Sequence, residues 1–210
     1  MADMTDNRLR QRLVGALEPV RFLFEGNLEE TVDLAIAGDL DAVGWMYCYA
    51  HEHIRAEMMV LMWGLGAPVE VQREMLRQVW DHEHDHLKSW LSVASAKAMF
   101  TSAAFPLPDG VPDTLTVYRG GFSTTKRKLA AGFSWTTDRD TACFFAMRYQ
   151  GYNDWHTPML LKATIRRDEI KLMEPDHRES EVVIFGARGS VIDGDAADWQ
   201  SRCEFYQAEK

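Results

Sequence analysis

Three prolines within seven residues, Pro106, Pro108 and Pro112, cut this 210-residue chain near its middle. A proline ring removes a backbone donor and clashes with the preceding turn, so none of the three can lie inside a helix. With Asp109 and Gly110 between them, residues 105–112 read as a linker or domain edge. The sequence changes character there. Upstream, Leu9, Leu13, Leu17 and Val20 recur at three- and four-residue spacing, and Glu29, Glu30, Asp39 and Asp41 sit where first helical turns favour acids. The pattern predicts helices over residues 6–100. The second begins at Leu28. The third runs from about Asp39 through His51, Glu52 and His53 to Trp63, where Gly64 and Gly66 stop it. The fourth runs from about Pro68 past Val79, and a small-residue helix follows from Val93. Downstream, β-rich runs at 114–118, 158–165, 181–185 and 189–192 surround one helix at 138–149. The expected class is α+β, with a helical region over 1–105 and a mainly sheet domain over 106–210.

Charge and composition narrow the partners. Residues 1–110 hold 9 Lys and Arg against 17 Asp and Glu, which accounts for most of the net charge of −9, so nucleic acid would be repelled from the helical half. Three widely spaced cysteines, Cys48, Cys143 and Cys203, do not make a disulfide framework or a Cys zinc site. No apolar stretch reaches membrane-spanning length, and the first residues are polar and acidic where a secretory signal would be basic and then apolar. A reducing cytoplasm is the expected compartment.

Polar groups in the second half cluster in three segments, each at the edge of a strand-like run. Arg119 follows Val117 and Tyr118 and precedes Gly120 and Gly121, a setting in which a guanidinium can make a forked contact with phosphate. Ser134 and Thr136 flank Trp135 just before Asp138, a residue suited to cap the next helix. Glu179 and Glu181 alternate at the start of an apolar run, and alternation places both carboxylates on one side of an extended chain. Each segment also admits a plain reading: an edge-strand salt bridge, a helix cap and a solvated acidic loop.

In order and local setting, the three segments resemble the Arg, Ser-x-Ser and Glu-x-Glu signature of the arginine-type ADP-ribosyltransferases. That is the R-S-E branch, which includes clostridial binary toxins and ecto-enzymes. The resemblance covers about the last 100 residues, with Trp135 in place of the usual middle threonine. It implies a split, mixed β-sheet and a mono-ADP-ribosyltransferase, in which NAD is the substrate and a protein side chain, arginine first, is the target. Arg119 and Gly120 would hold NAD. Ser134 would orient the catalytic glutamate, with Thr136 as the second hydroxyl. Glu181 would be catalytic and Glu179 would serve the acceptor. Tyr152 or Trp155, on the loop after the helix, would stack on the cofactor. A chain of this kind would act as a toxin, an effector or a phage-encoded modifier. Two rival readings are a NAD glycohydrolase, with water as acceptor, and a catalytically silent interaction protein on the same fold.

One other cluster has ligand chemistry. His82 and His86 lie a turn apart, and Glu83 with His86 has the Glu-x-x-His spacing of di-iron bundles, with His51 and His53 elsewhere. Only one copy is present where such a bundle needs two. No metal site is expected, and the cluster reads as a solvated face.

Overall fold

In the computed structural model, the described residues are 2–24, 27–149, 157–174 and 179–209. They form two compact units, Met1–Ala104 and Phe105–Lys210, the division falling just before the first of the three prolines.

The first unit is helical. It comprises α1 (Ala2–Leu17), α2 (Leu28–Ala37), α3 (Leu40–Tyr49), α4 (Glu52–Gly64), α5 (Val69–Trp90) and α6 (Val93–Ala103), with a short 3-10 segment after α1. Asn27, Asp39 and Ser92 cap α2, α3 and α6 by accepting from backbone N–H groups that the first turn leaves free. Leu13, Leu17, Val32, Met46, Met58 and Val79 are among the side chains that make its core. The single third helix expected from sequence is two. The chain is extended at Ala50 and His51, and the Ala50 carbonyl accepts from Arg55 Nε at 3.1 Å. Neither glycine nor proline marks this break, because a side chain from the next helix satisfies the exposed carbonyl.

The second unit joins one six-stranded sheet to three helices. Its strands are β1 (Thr114–Phe122), β2 (Ser134–Thr136), β3 (Pro158–Arg166), β4 (Leu172–Glu174), β5 (Glu181–Val183) and β6 (Val191–Ile192), in the order β4-β5-β2-β1-β3-β6. Its helices are α7 (Lys126–Ala130), α8 (Arg139–Met147) and α9 (Ala196–Glu209). The α+β class holds. The strand directions are a correction: every pairing among the described residues is antiparallel, where a mixed sheet was expected.

The strand β1 pairs with β3 along its whole length, from Thr114 opposite Arg166 to Phe122 opposite Pro158. With β2 it shares one register position, Tyr118 opposite Thr136. The sheet is therefore two three-stranded halves joined at a single pair. Alternation sends Val117, Trp135, Leu161, Ala163 and Val182 into one core, while Leu160 packs on the other face with Ala142, Ala146, Trp199 and Cys203 of α8 and α9. The helix α8 lies directly on β1 at Gly120, where an added Cβ would run into the Ala142 carbonyl and come 2.7 Å from Ala146 N.

Candidate functional site

The strand order makes β5, β2 and β1 consecutive neighbours in the middle of the sheet, and these strands carry Glu181, the two hydroxyls and Arg119. Residues separated by up to 62 positions in sequence thus lie on neighbouring strands at the junction of the two half-sheets.

Arg119 lies on an interior strand, flanked by β2 and β3, so the edge-strand salt bridge does not apply. Its guanidinium crosses to β2 and donates through Nη1 to the Ser134 carbonyl, just beyond the one pairing position that β1 and β2 share. It rests on Gly132. Any side chain there would overlap Arg119 Cζ, Nε and Nη2. Nε is enclosed and has no hydrogen-bond partner among the described residues. Burial pushes the Arg119 pKa below the ordinary guanidinium value, and the Glu181 carboxylate acts in the opposite sense. A half-buried cation with an unmade hydrogen bond, and with no carboxylate at ion-pair distance among the described residues, suits an incoming anion.

Gly120 does not provide open approach to a ligand. Its missing side chain is the space that α8 fills, so the need for glycine there is met by helix packing. On the far side of the chain, Leu129 of α7 comes within 2.6 Å of a Cβ built at Gly121.

The hydroxyl opposite Glu181 is that of Thr136, while Ser134 is opposite Val183. Thr136 Oγ1 donates to the Glu179 carbonyl at 2.6 Å and accepts from Asp138 N at 2.9 Å. Both bonds are internal. They fasten the Glu179 turn to β2 and help start α8, whose cap Asp138 accepts from Asp140 N and from Thr141 Oγ1. Thr136 is thus an anchor of the site, and Ser134, half-buried, meets the Arg119 guanidinium through its main-chain carbonyl.

Glu181 begins β5 and is only 8 % exposed, which removes the solvated-loop reading for this residue. Glu179 is different. Ser180 has a left-handed backbone, φ +45°, so the chain is not extended through it, and the expected alternation of Glu179 with Glu181 is lost. An L-residue in that conformation costs roughly 1–2 kcal/mol. It persists here beside two cross-links to β2, Thr136 Oγ1 to Glu179 O and Thr137 N to Ser180 O at 3.2 Å.

A further carboxylate occupies the place that alternation had given to Glu179. Glu174, at the end of β4, is the Cα partner of Glu181. The alternating run Ile170, Leu172, Glu174 held the signal for this strand, though three residues are too few to stand out. Tyr152 and Trp155 lie outside the described residues.

In the helical unit, Glu83 is 4 % exposed and is not a solvated ligand. Its carboxylate accepts from Tyr47 Oη at 2.5 Å and from Arg55 Nη1 at 2.6 Å, and the Arg55 guanidinium stands 4.4 Å over the Tyr47 ring. Burial and the neighbouring carboxylate push the Tyr47 pKa up. Among the described residues no His, Cys, Asp and Glu group could hold a metal ion, and no helix is long and apolar enough to cross a membrane.

Compared with known proteins, the chain matches no family model, no curated protein and no solved structure.

Proposed function

We propose that this protein is a NAD-dependent mono-ADP-ribosyltransferase that modifies a protein side chain, arginine first. The observation that carries this reading is the adjacency of β5, β2 and β1, which puts a buried carboxylate, Glu181, and a half-buried guanidinium with no ion pair among the described residues, Arg119, on neighbouring strands at the junction of a split sheet.

Arg119 would hold the pyrophosphate of NAD through the charge of its guanidinium. Ser134 would contact the adjoining ribose. The bond from the ribose anomeric carbon to the nicotinamide nitrogen breaks, and its electron pair leaves with nicotinamide. Positive charge develops on the ribose, and Glu181 stands against it as a fixed anion in a mostly water-excluded position. Such a contact strengthens as the charge grows, so it acts on the barrier more than on NAD affinity. The acceptor nitrogen then bonds to the anomeric carbon and releases its proton to a base. Thr136 keeps the Glu179 turn, and hence the start of β5, in register with β2.

The test is nicotinamide release by the purified protein, followed by incubation with labelled NAD and cell lysate and mass spectrometry of the modified residues. Label on arginine supports the proposal. Release without labelled protein makes it a NAD glycohydrolase, and no release with no NAD binding leaves an interaction protein.

A further inference from the structure

The turn between α7 and β2 is fastened through its carbonyls. Ala130 O accepts from Ala187 N and Phe133 O from Ile184 N, both at 2.9 Å, which ties the turn to the chain that follows β5. Gly132 lies between these two fastenings, and its own carbonyl is held by a side chain. Trp135 Nε1 donates to it at 2.9 Å. The indole is itself fixed, only 2 % exposed in the core with Val117, Leu129, Leu161 and Val182. Gly132 is in turn the wall against which the Arg119 guanidinium rests.

We propose that Trp135 is the positioning residue for Arg119: its N–H bond to the Gly132 carbonyl fixes the wall that aims the guanidinium, and so sets the affinity for a pyrophosphate. This rests on the reading of Arg119 as the residue that holds NAD. Three observations support it. First, the fit at Gly132 is close, since a single Cβ there would overlap Arg119 Cζ, Nε and Nη2. A gap of about 0.5–1 Å already forfeits a quarter to a half of a contact's energy, so a small shift of the turn frees the cation. Second, Arg119 has little hold of its own. It donates to the Ser134 carbonyl, and its enclosed Nε has no hydrogen-bond partner. Third, that Ser134 carbonyl belongs to the peptide group that enters Trp135, so one buried residue governs both the wall and the acceptor.

This is the position at which the chain departs from the resemblance, with an indole where a threonine is usual. Burial does not account for the choice. A phenylalanine would also bury an aromatic ring there, and it has no N–H to give.

The experiment uses the full chain as wild type, Trp135→Phe, Arg119→Lys and the double variant, with melting curves to show that each is folded. Solvent exchange of the Arg119 Nε–H, followed by NMR without NAD, reports the seat of the guanidinium. Calorimetry with NAD and the kinetics of nicotinamide release report its consequence. In Trp135→Phe the Nε–H should exchange about tenfold faster or more, and NAD affinity should fall about three- to tenfold, as the loss of one hydrogen bond allows. The Michaelis constant for NAD should rise by a similar factor, with kcat affected less. In the Arg119→Lys background, Trp135→Phe should change NAD affinity little, because the two residues act as a unit.

Unchanged Nε–H exchange in folded Trp135→Phe overturns the proposal. Additive losses in the double variant do so as well, because they would make Trp135 a core residue only. If Trp135→Phe does not fold, the wild type decides. Its Trp135 indole N–H signal must shift together with the Arg119 Nε–H signal on titration with inorganic pyrophosphate, and an indole signal that stays in place overturns the proposal. If the wild type binds no NAD, the reading of Arg119 as the NAD-holding residue fails by itself, and the exchange measured without NAD still decides whether Trp135 seats the guanidinium.

Discussion

The guanidinium of Arg119 donates to the main-chain carbonyl of Ser134, next to the only position at which β1 and β2 pair. A side chain thereby takes over where the ladder between the half-sheets stops, and it brings a charge into the opening. Arg119 is consequently held from one side only. Nη1 is committed, and Nε is enclosed without a partner among the described residues. The residue bridges the junction while one of its hydrogen bonds stays unmade.

Glu181→Gln should abolish nearly all NAD cleavage while leaving the fold and NAD affinity largely intact. The amide keeps the size of the side chain and removes the charge that opposes the developing cation. A contact of this kind is worth about 3–4 kcal/mol in the transition state, a few hundredfold in rate. Nicotinamide release measured at saturating NAD checks it, and wild-type turnover would remove Glu181 from the chemistry.

Gly132→Ala tests the seat of the guanidinium without touching a charge. Its new methyl group overlaps Arg119 Cζ, Nε and Nη2, so the side chain must leave its bond to Ser134 O. NAD affinity should then fall by about tenfold or more, matching Arg119→Lys, which keeps the charge and loses the planar fork. Calorimetry on both variants checks this. Normal affinity in both would make Arg119 a purely structural bridge.

Much of this arrangement was written in the sequence, and the losses have physical causes. The linker prolines, the cap Asp138, the acidic start of α3 at Asp39, and the runs that became β1, β3 and β5 all announced themselves through local chemistry. The strand β4 was too short to show a period, and α9 carries no strong apolar stripe, with Trp199 and Cys203 as its buried contacts. Alternation misplaced Glu179 because it assumes an extended chain, and Ser180 is not extended. Gly120 was read as room for a ligand when the same absence of a side chain admits a helix. Glu83 was read as a solvated helix residue because Tyr47 and Arg55, its partners, come from two other helices. What failed were inferences about long-range contact, which a local pattern does not contain.

Gly120→Ala should be the most destabilising single-methyl change at the sheet and helix interface. The added Cβ meets the Ala142 carbonyl and Ala146 N, both backbone atoms that move only if α8 moves. Forcing apart a packed strand and helix costs about 1–3 kcal/mol or more. A fall in the melting temperature and midpoint of the second unit, by urea or heat, checks it. An unchanged midpoint would mean that α8 is not seated on β1 as described.

The two compact units make a last prediction about where the activity resides. Each has its own buried set, Leu13 to Ala103 in the first and Val111 to Cys203 in the second, and the three prolines begin the second. All the residues that the proposed reading assigns to NAD, Arg119, Ser134 and Glu181, belong to Phe105–Lys210. A fragment of residues 105–210 should therefore unfold in a single cooperative transition and still release nicotinamide from NAD, because a cooperative transition needs only an independent core. The acidic helical unit, with the balance of −8 carried by residues 1–110, holds none of these residues, and the proposed reading leaves it the choice of the protein target. The fragment should consequently label agmatine, a small alkylguanidine, while losing selective labelling of a lysate protein. Circular dichroism through a thermal melt, with the two labelling assays in parallel, checks both halves of the statement. A fragment that melts without cooperativity would show that the sheet needs the helices for its core, and one that keeps selective labelling would place target choice on the sheet unit itself.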